Sequence, residues 1–486
     1  MTSINSLSPS PVWTIFSQIC SIPHPSKQEQ ALRTYLQNLA NNKGLETQID
    51  EVGNLLIRKP ATAGLERLKT VVLQGHIDMV PQKNADSTHN FDSDPIETKI
   101  EGDWLTAKGT TLGADNGLGV AAGMAIMLAD DIPHGPIELL CTVEEETSMR
   151  GAFELKSDWL KGEILLNMDT EDEGELYIGC AGGVDINAII NLDFEATPAD
   201  HSAFEVAVRG LKGGHSGLDI DKGRGNANQI INRFLMQFMA ALDLRVTHFN
   251  GGTLRNAIPR ESFTTVIIPT RQLTNFKQAI ETFSQLMKKE LGVTEPDLNI
   301  YATQVSLPER VIALEQQKTL INAIAACVSA PFRMSDQFAN VVETSNNLAI
   351  VKSVADKLEI KCLTRSLINS ARDFAAQSIA ATFQLAGAET GLSGAYPGWK
   401  PDPNSFILKH MISGYEDLFG KTPAVKVIHA GLECGLFGEP YPTMDMISFG
   451  PTIRGAHSPD ERCHIPSVEK FWRFLCHTLA NIPRQD

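Results

Sequence analysis

The sequence predicts an α/β protein in which a domain built on a mixed central sheet flanked by helices is interrupted by an inserted α+β domain. Three observations predict it. Apolar runs near residues 71–77, 137–143 and 163–169 each end in potential metal ligands, as parallel strands do when ligands gather beyond their carboxyl ends. From about Gly183 the texture changes to alternating strands followed by long amphipathic helices. A stretch with three prolines, AYPGWKPDPNS at 395–405, then leads back. These features place the first domain at 1–183 and 396–486 and the insert at 184–395; at 486 residues the chain is too long for a single core.

The elements follow in order. Residues 11–42 read as a helix, a break at Ile22-Pro23-His24-Pro25 and a second helix through Tyr35, Leu36 and Leu39, with Gly44 as its stop. His24 is expected to be an exposed or capping residue. Glu46–Asp50 and Asn54–Arg58 form a hairpin split at Gly53-Asn54. In the insert, strands at 203–210, 262–270 and 357–366 precede helices at 226–242, 273–291 and 371–386. After residue 406 come a helix, a strand at 425–430, and a final helix for which Ser467 is the expected cap.

Composition narrows the function. Hydrophobic residues make up 42% and charged residues 21%, ordinary values for a globular enzyme. A net charge of −16 argues against nucleic acid or an anionic membrane as partner. The N-terminal MTSINSLSPSPVW lacks the basic and apolar regions of a secretory signal. The small apolar run at Gly119–Ala129 is shorter than the roughly 18 residues of a membrane span. Eight cysteines are scattered singly, as in a reducing compartment. A cytoplasmic location is therefore expected.

Five segments carry chemistry. LQGHIDMV at 73–80 presents His76 and Asp78 on one face of an extended end; an imidazole there can bind zinc while the carboxylate fixes its tautomer. Asp115 lies in the Gly-rich turn KGTTLGADNGLG, where a carboxylate can bridge two cations. No phosphate-loop pattern fits that turn. The strand at 137–143 ends in Glu144, Glu145 and Glu146, adjacent carboxylates whose repulsion a cation or proton must offset, unless they form a solvated acidic turn. Asp169 ends the next strand, and His457 lies in a Gly/Pro loop near the final helix. Together His76, Asp115, Glu145/Glu146, Asp169 and His457 form a nitrogen–oxygen donor set that suits zinc, with manganese or cobalt tolerated. His89, Asp92 and Asp94 occupy a polar loop without fixed geometry, and His464 and the helix-surface His477 read as ordinary polar residues.

The motifs GHIDMV, GADNG, EEET, NMDTED and GAHSPDE resemble those of the co-catalytic zinc peptidases of the aminoacylase and carboxypeptidase G superfamily. Within it, LNMDTEDEG, KGGHSGLDI, RNAIPRE and HAGLECGLF resemble the group of bacterial aminoacyl-histidine dipeptidases, over almost the whole chain. The resemblance implies a zinc-exopeptidase-like fold whose insert acts as a lid, and two zinc ions per subunit. One would be held by His76, Asp115 and Asp169 and the other by Asp115, Glu146 and His457. It further implies Glu145 as general base, Asp78 as the residue orienting His76, and a cis peptide after Asp115. His215, in GGHSG, resembles the donor to the tetrahedral oxygen, although a turn histidine is the simpler reading. Asn256 and Arg365 are candidates for the substrate's terminal carboxylate, Arg365 being alternatively a surface strand residue, and Glu433 is a candidate for its free amine. The expected activity is hydrolysis of unblocked dipeptides, including Xaa-His types such as β-alanyl-histidine, by a homodimer joined through the lid. The alternatives are an N-acyl-amino-acid deacylase or carboxypeptidase, and an inactive metal-binding scaffold.

Overall fold

The computed structural model describes residues 4–484; Met1–Ser3 of the N-terminal segment considered above lie outside them. The chain divides into two compact units, one of Met1–Gly179, Pro401–Val427 and Leu432–Asp486, the other of Cys180–Lys400 and Ile428–Gly431. The division thus falls at 180 and 400 rather than at 184 and 395. The four-residue return at 428–431 has no signal in the sequence: the strand expected over 425–430 spans Ala424–Ile428.

The first unit is built on an eight-stranded sheet. Its order is Glu46–Ile49, Leu55–Lys59, Ile137–Thr142, Val71–His76, Ile164–Asn167, Asp445–Ser448, Glu175–Cys180 and Ala424–Ile428. The four central strands run parallel and the outer pairs next to them antiparallel, which makes the sheet mixed. Ile137–Thr142, Val71–His76 and Ile164–Asn167 are buried at every residue. Such strands are covered on both faces, and for that reason they read as mainly apolar runs instead of strictly alternating ones. The register sets His76 opposite Thr142, and Gln74 opposite both Leu140 and Asn167, so the three strands finish at nearly the same level.

The helix Ala114–Leu128 packs on Val71–His76 and is buried along nearly its whole length. Close approach explains the glycines of both segments. A Cβ at Gly75 would stand 2.3 Å from Asn116 Oδ1, and one at Gly119 would stand 2.6 Å from both that atom and the Met168 carbonyl. The peptide between Asp115 and Asn116 is cis, as the resemblance implied.

Three expectations require correction. His24 is buried, only 3% exposed, with Nδ1 2.6 Å from the Ile22 carbonyl oxygen, because the chain after the first helix turns inward and pairs Pro25 with Met79. Ser467 is not the cap of the last helix, which begins at Ile465 with His464 in the cap position. The Ser467 hydroxyl instead accepts from the Thr452 amide and donates to the His464 carbonyl, tying the helix to the loop before it. His477, expected on the helix surface, is half-buried, its ring 3.0 Å from where a Cβ on Gly414 would lie.

A second, four-stranded sheet has no clear signal in the sequence. It orders Ile453–Arg454, Arg462–His464, Trp104–Ala107 and Thr98–Glu101. Ile453 pairs with Cys463 and Arg454 with Arg462, so the loop carrying His457 is the tip of a hairpin.

The second unit holds a nine-stranded antiparallel sheet covered by the helices Ala227–Leu242, Leu273–Leu291, Leu314–Ala326 and Asn369–Leu385. Asn226 caps the first of these by accepting from the Asn228 and Gln229 amides. Phe234, Phe276 and Phe283 pack edge to face at the centre of its core. Among the described residues no helix is long and apolar enough to cross a membrane.

Gly75 supplies a test of this packing. Alanine ordinarily costs less than glycine within a strand. Here Gly75→Ala must displace Asn116, so a loss of about 1–3 kcal/mol is expected from the overpacking. A chemical-denaturation curve indistinguishable from that of the native chain would contradict the close approach.

Candidate metal centre

The carboxyl ends of the three buried parallel strands, the turn before helix Ala114–Leu128 and the tip of the C-terminal hairpin converge within the first unit. His76 ends the central strand and is 1% exposed. Its Nδ1 lies 3.0 Å from the Asp78 carbonyl oxygen and 3.4 Å from Asp78 Oδ1, which leaves Nε2 facing the cluster. Nε2 is 3.1 Å from Asp115 Oδ1 and 3.3 Å from Asp169 Oδ1. On the opposite side, His457 Nε2 is 3.3 Å from Asp115 Oδ2 and 2.9 Å from Glu146 Oε2. The two oxygens of Asp115 therefore face two different donor sets, one with His76 and Asp169, the other with His457 and Glu146.

Of the three adjacent glutamates, only two join this cluster. Glu144 adopts a left-handed conformation and turns toward Arg150 (3.4 Å) and Ser148 (3.3 Å). Glu145 and Glu146 start the next helical turn, and their amides donate to Asp78 Oδ1 (3.0 Å) and Oδ2 (3.1 Å). Ser26 donates to the same Oδ2 at 2.7 Å. Asp78 thus holds the glutamate turn as well as the ring of His76. Ser26 and Glu29, whose carboxylate accepts from the Glu144 amide at 3.1 Å, are parts of the site that sequence reasoning missed. Neither stands in a recognisable motif.

Burial and mutual repulsion dominate the electrostatics. Burial pushes the carboxyls of Glu145, Glu146 and Asp169 above their usual range, and the neighbouring carboxylates push them further. Burial opposes the charging of His76, yet Asp169, Asp115 and Asp78 hold its pKa well above the ordinary value. Hydrogen bonds to Asp115 and Glu146 raise that of His457 to about 11. The cluster therefore attracts positive charge, and without a cation the imidazoles must supply it as protons. Glu146 Oε1 is buried without a hydrogen-bond partner. His76, Asp115 and Glu146 present ligand atoms within 4.8 Å of one another. The residues fit a divalent metal: the donors are imidazole nitrogen and carboxylate oxygen, the charge is in deficit, and His76 has the supporting carboxylate that zinc-binding histidines ordinarily have.

Glu433 belongs to the same unit and is fully buried at the start of a short helix. Its Oε2 accepts from Gln74 (2.6 Å) and Thr142 (2.8 Å), and its Oε1 is buried without a hydrogen-bond partner.

The remaining candidates lie in the second unit. A short pairing of Gly214–His215 with Ala257–Ile258 brings the GGHSG turn beside RNAIPR, and the Ser216 amide donates to the Asn256 carbonyl at 2.9 Å. Asn256 itself is exposed. His215 Nδ1 accepts from the amides of Gly217 (3.2 Å) and Leu218 (3.1 Å), so the proton of the neutral ring sits on Nε2. Burial and the nearby Arg365 guanidinium lower its pKa to about 4, which keeps the ring neutral at pH 7. Arg365 is not a surface residue: it is 4% exposed, donating to Ser216 Oγ (3.1 Å) and the Tyr396 hydroxyl (2.7 Å). Among the described residues it forms no salt bridge. Its Nη2 lies 3.3 Å from His215 Nε2, so two donors meet with no acceptor between them, an arrangement that suits an anion.

The model of peptidase family M20/M25/M40 matches residues 72–481 of the chain. The cytosol non-specific dipeptidase of Escherichia coli strain K12 is 48% identical over 483 residues, covering 99% of this chain and all of that protein. The crystal structure of aminoacylhistidine dipeptidase from Vibrio alginolyticus superposes with a TM-score of 0.90 at 49% identity, covering 100% of this chain and 99% of that one. The aminopeptidase PepT of Bacillus cereus shares the fold, with a TM-score of 0.58 at 16% identity over 98% of this chain and 99% of its own.

The raised imidazole pKa values predict proton release on metal binding. Below about pH 11 His457 carries a proton in the metal-free protein, so protons compete with the cation and apparent affinity rises with pH. Calorimetric titration of stripped protein at pH 7, in buffers of different ionisation enthalpy, is expected to show roughly two protons released, one from each histidine. Equal affinities at pH 6 and pH 8 would contradict this.

Proposed function

Because the chain belongs to peptidase family M20/M25/M40, we propose that it is a metal-dependent dipeptidase acting on unblocked dipeptides, including Xaa-His dipeptides such as β-alanyl-histidine. The observation that carries this reading is Asp115 standing between two equivalent donor sets with Glu145 beside them. The names of the E. coli and Vibrio relatives, matched over 100% and 99% of their lengths, support the substrate class.

In this reading His76, Asp115 and Asp169 hold one cation and Asp115, Glu146 and His457 the other. Two zinc ions, with manganese or cobalt as substitutes, supply Lewis acidity to the scissile carbonyl and lower the pKa of water when bound. Glu145 accepts the proton of the attacking water and passes it to the leaving amine; the pKa raised by its burial suits a group that must both take and return a proton. Asp78 keeps His76 in the tautomer that offers Nε2 and, through the amides of Glu145 and Glu146, holds base and ligand in register. His215, neutral with its proton on Nε2, is the donor to the tetrahedral oxygen. Arg365, with Asn256, receives the substrate's terminal carboxylate, a role supported by the absence of a salt bridge to its buried guanidinium among the described residues. Glu433, through the buried oxygen left without a partner, receives the free amine. We assign the protein to the cytoplasm as a homodimer joined through the inserted unit, which acts as the lid.

Glu145→Gln is expected to lower kcat about 10²–10⁴-fold, the range for loss of general acid–base catalysis, while metal content stays unchanged. Native enzyme should cleave free dipeptides and leave their N-acetylated forms intact. Cleavage of the acetylated compounds alone would make the protein a deacylase, and no turnover of either set by metal-loaded protein would make it a binding scaffold.

Arg365→Gln should cost about 2–5 kcal/mol in kcat/KM, as expected when one partner of a buried charge pair is truncated. The native enzyme acting on a dipeptide amide should show a similar loss. A variant that still discriminates between acid and amide would take the carboxylate role away from Arg365.

A further inference from the structure

We propose that Glu461 is a positioning residue for Asp115, fixing from behind the carboxylate that faces both donor sets. The inference rests on the reading that Asp115 bridges two cations. Glu461 stands at the base of the hairpin whose tip carries His457, and is 2% exposed. Its carboxylate accepts four consecutive backbone amides: Leu112 (2.7 Å) and Gly113 (3.0 Å) on Oε2, Ala114 (2.8 Å) and Asp115 (3.3 Å) on Oε1. Ala114 and Asp115 open helix Ala114–Leu128, whose own cap position, Gly113, offers no side chain, and Leu112 and Gly113 form the turn before it. Glu461 forms no salt bridge among the described residues, and its carboxyl oxygens are engaged by this loop.

The need for such an anchor lies in the backbone. Asp115 and Asn116 have φ/ψ of −83°/110° and −106°/25°, outside the helical region, so helix formation alone does not fix where the Asp115 side chain points. Two tethers do so. Asn116 donates to the Met168 carbonyl at 2.7 Å, beside Asp169, and Glu461 gathers the amides on the other flank. Because one hairpin carries both His457 and Glu461, the contact between Glu461 and residues 112–115 also sets the spacing between His457 and Asp115. A glutamine at 461 would keep one acceptor oxygen and turn an NH2 group toward two amide donors, loosening that spacing without changing any residue of the donor sets.

The test is cobalt(II) titration of the stripped full-length chain, followed by visible absorbance and competition with a chelator, on native protein, Asp115→Asn and Glu461→Gln. Glu461→Gln is expected to bind cobalt at least tenfold more weakly with shifted absorption bands, and Asp115→Asn more weakly still. Amide hydrogen exchange on the metal-free native chain needs no variant to fold: the amides of residues 112–115 should be protected before any metal is added. Native cobalt affinity and bands in Glu461→Gln, whatever its melting temperature, would overturn the inference, as would exchange of those amides at loop rates. If Asp115→Asn binds cobalt as the native chain does, the bridging reading fails and this inference falls with it.

Discussion

The constraint on which the first unit depends is the crowding of carboxylates at the ends of buried parallel strands. Asp78, Asp115, Glu145, Glu146 and Asp169 share one small volume with the imidazoles of His76 and His457. Removing such groups from water is unfavourable unless opposite charge lies among them. The apolar strands therefore do two things: they form the core, and they carry the charge to a place where water cannot neutralise it. Cation affinity and fold share this origin, and a chain that relieved the repulsion by exposing the cluster would also lose its reason to bind metal.

Position within the cluster is governed by a second set of carboxylates that face away from it. Asp78 accepts from the amides of Glu145 and Glu146, Glu29 from that of Glu144, and Glu461 from those of residues 112–115. Each braces a turn by accepting amides at the start of a helix or just before it, which have no partner within the helix. Side chains that face the centre are thus separated from side chains that hold the backbone, and Asp78 belongs to both sets through His76.

What the sequence made legible follows from how locally each feature is encoded. The strands at 71–76 and 137–142 are short, mainly apolar runs, and strands such as 357–366 and helices such as 273–291 in the insert keep their period, so both unit types could be read. The strand Val342–Val354 could not: it opens VETSNN, yet these residues are buried, and Thr344, Ser345 and Asn347 bond to distant partners, Ser366, His429 and the Ala257 carbonyl. A polar run whose hydrogen bonds close only in three dimensions looks like a loop. His24 was misjudged for a similar reason, since its burial comes from the pairing of Pro25 with Met79. Glu461 lies inside a segment that was recognised, GAHSPDE, but its partners are some 350 residues away and are backbone amides, which leave no trace in side-chain identity. The convergence of His76, Asp115, Glu146, Asp169 and His457 was legible because four of them end or border strands, where position implies direction, and Asp115 sits in a recognisable Gly-rich turn that opens a helix.

The hairpin that bears His457 has a consequence for biosynthesis. A ribosome making this chain delivers four of the five clustered donors before residue 170, then spends more than two hundred residues on the interrupting unit before it reaches His457 and Glu461. During that interval the nascent first unit lacks the Asp445–Ser448 strand and the hairpin, so the carboxylates it has gathered are unshielded on one side. The order of translation therefore separates the appearance of the charge from the completion of the site, and the newborn chain must tolerate an open acidic pocket until its last segment docks.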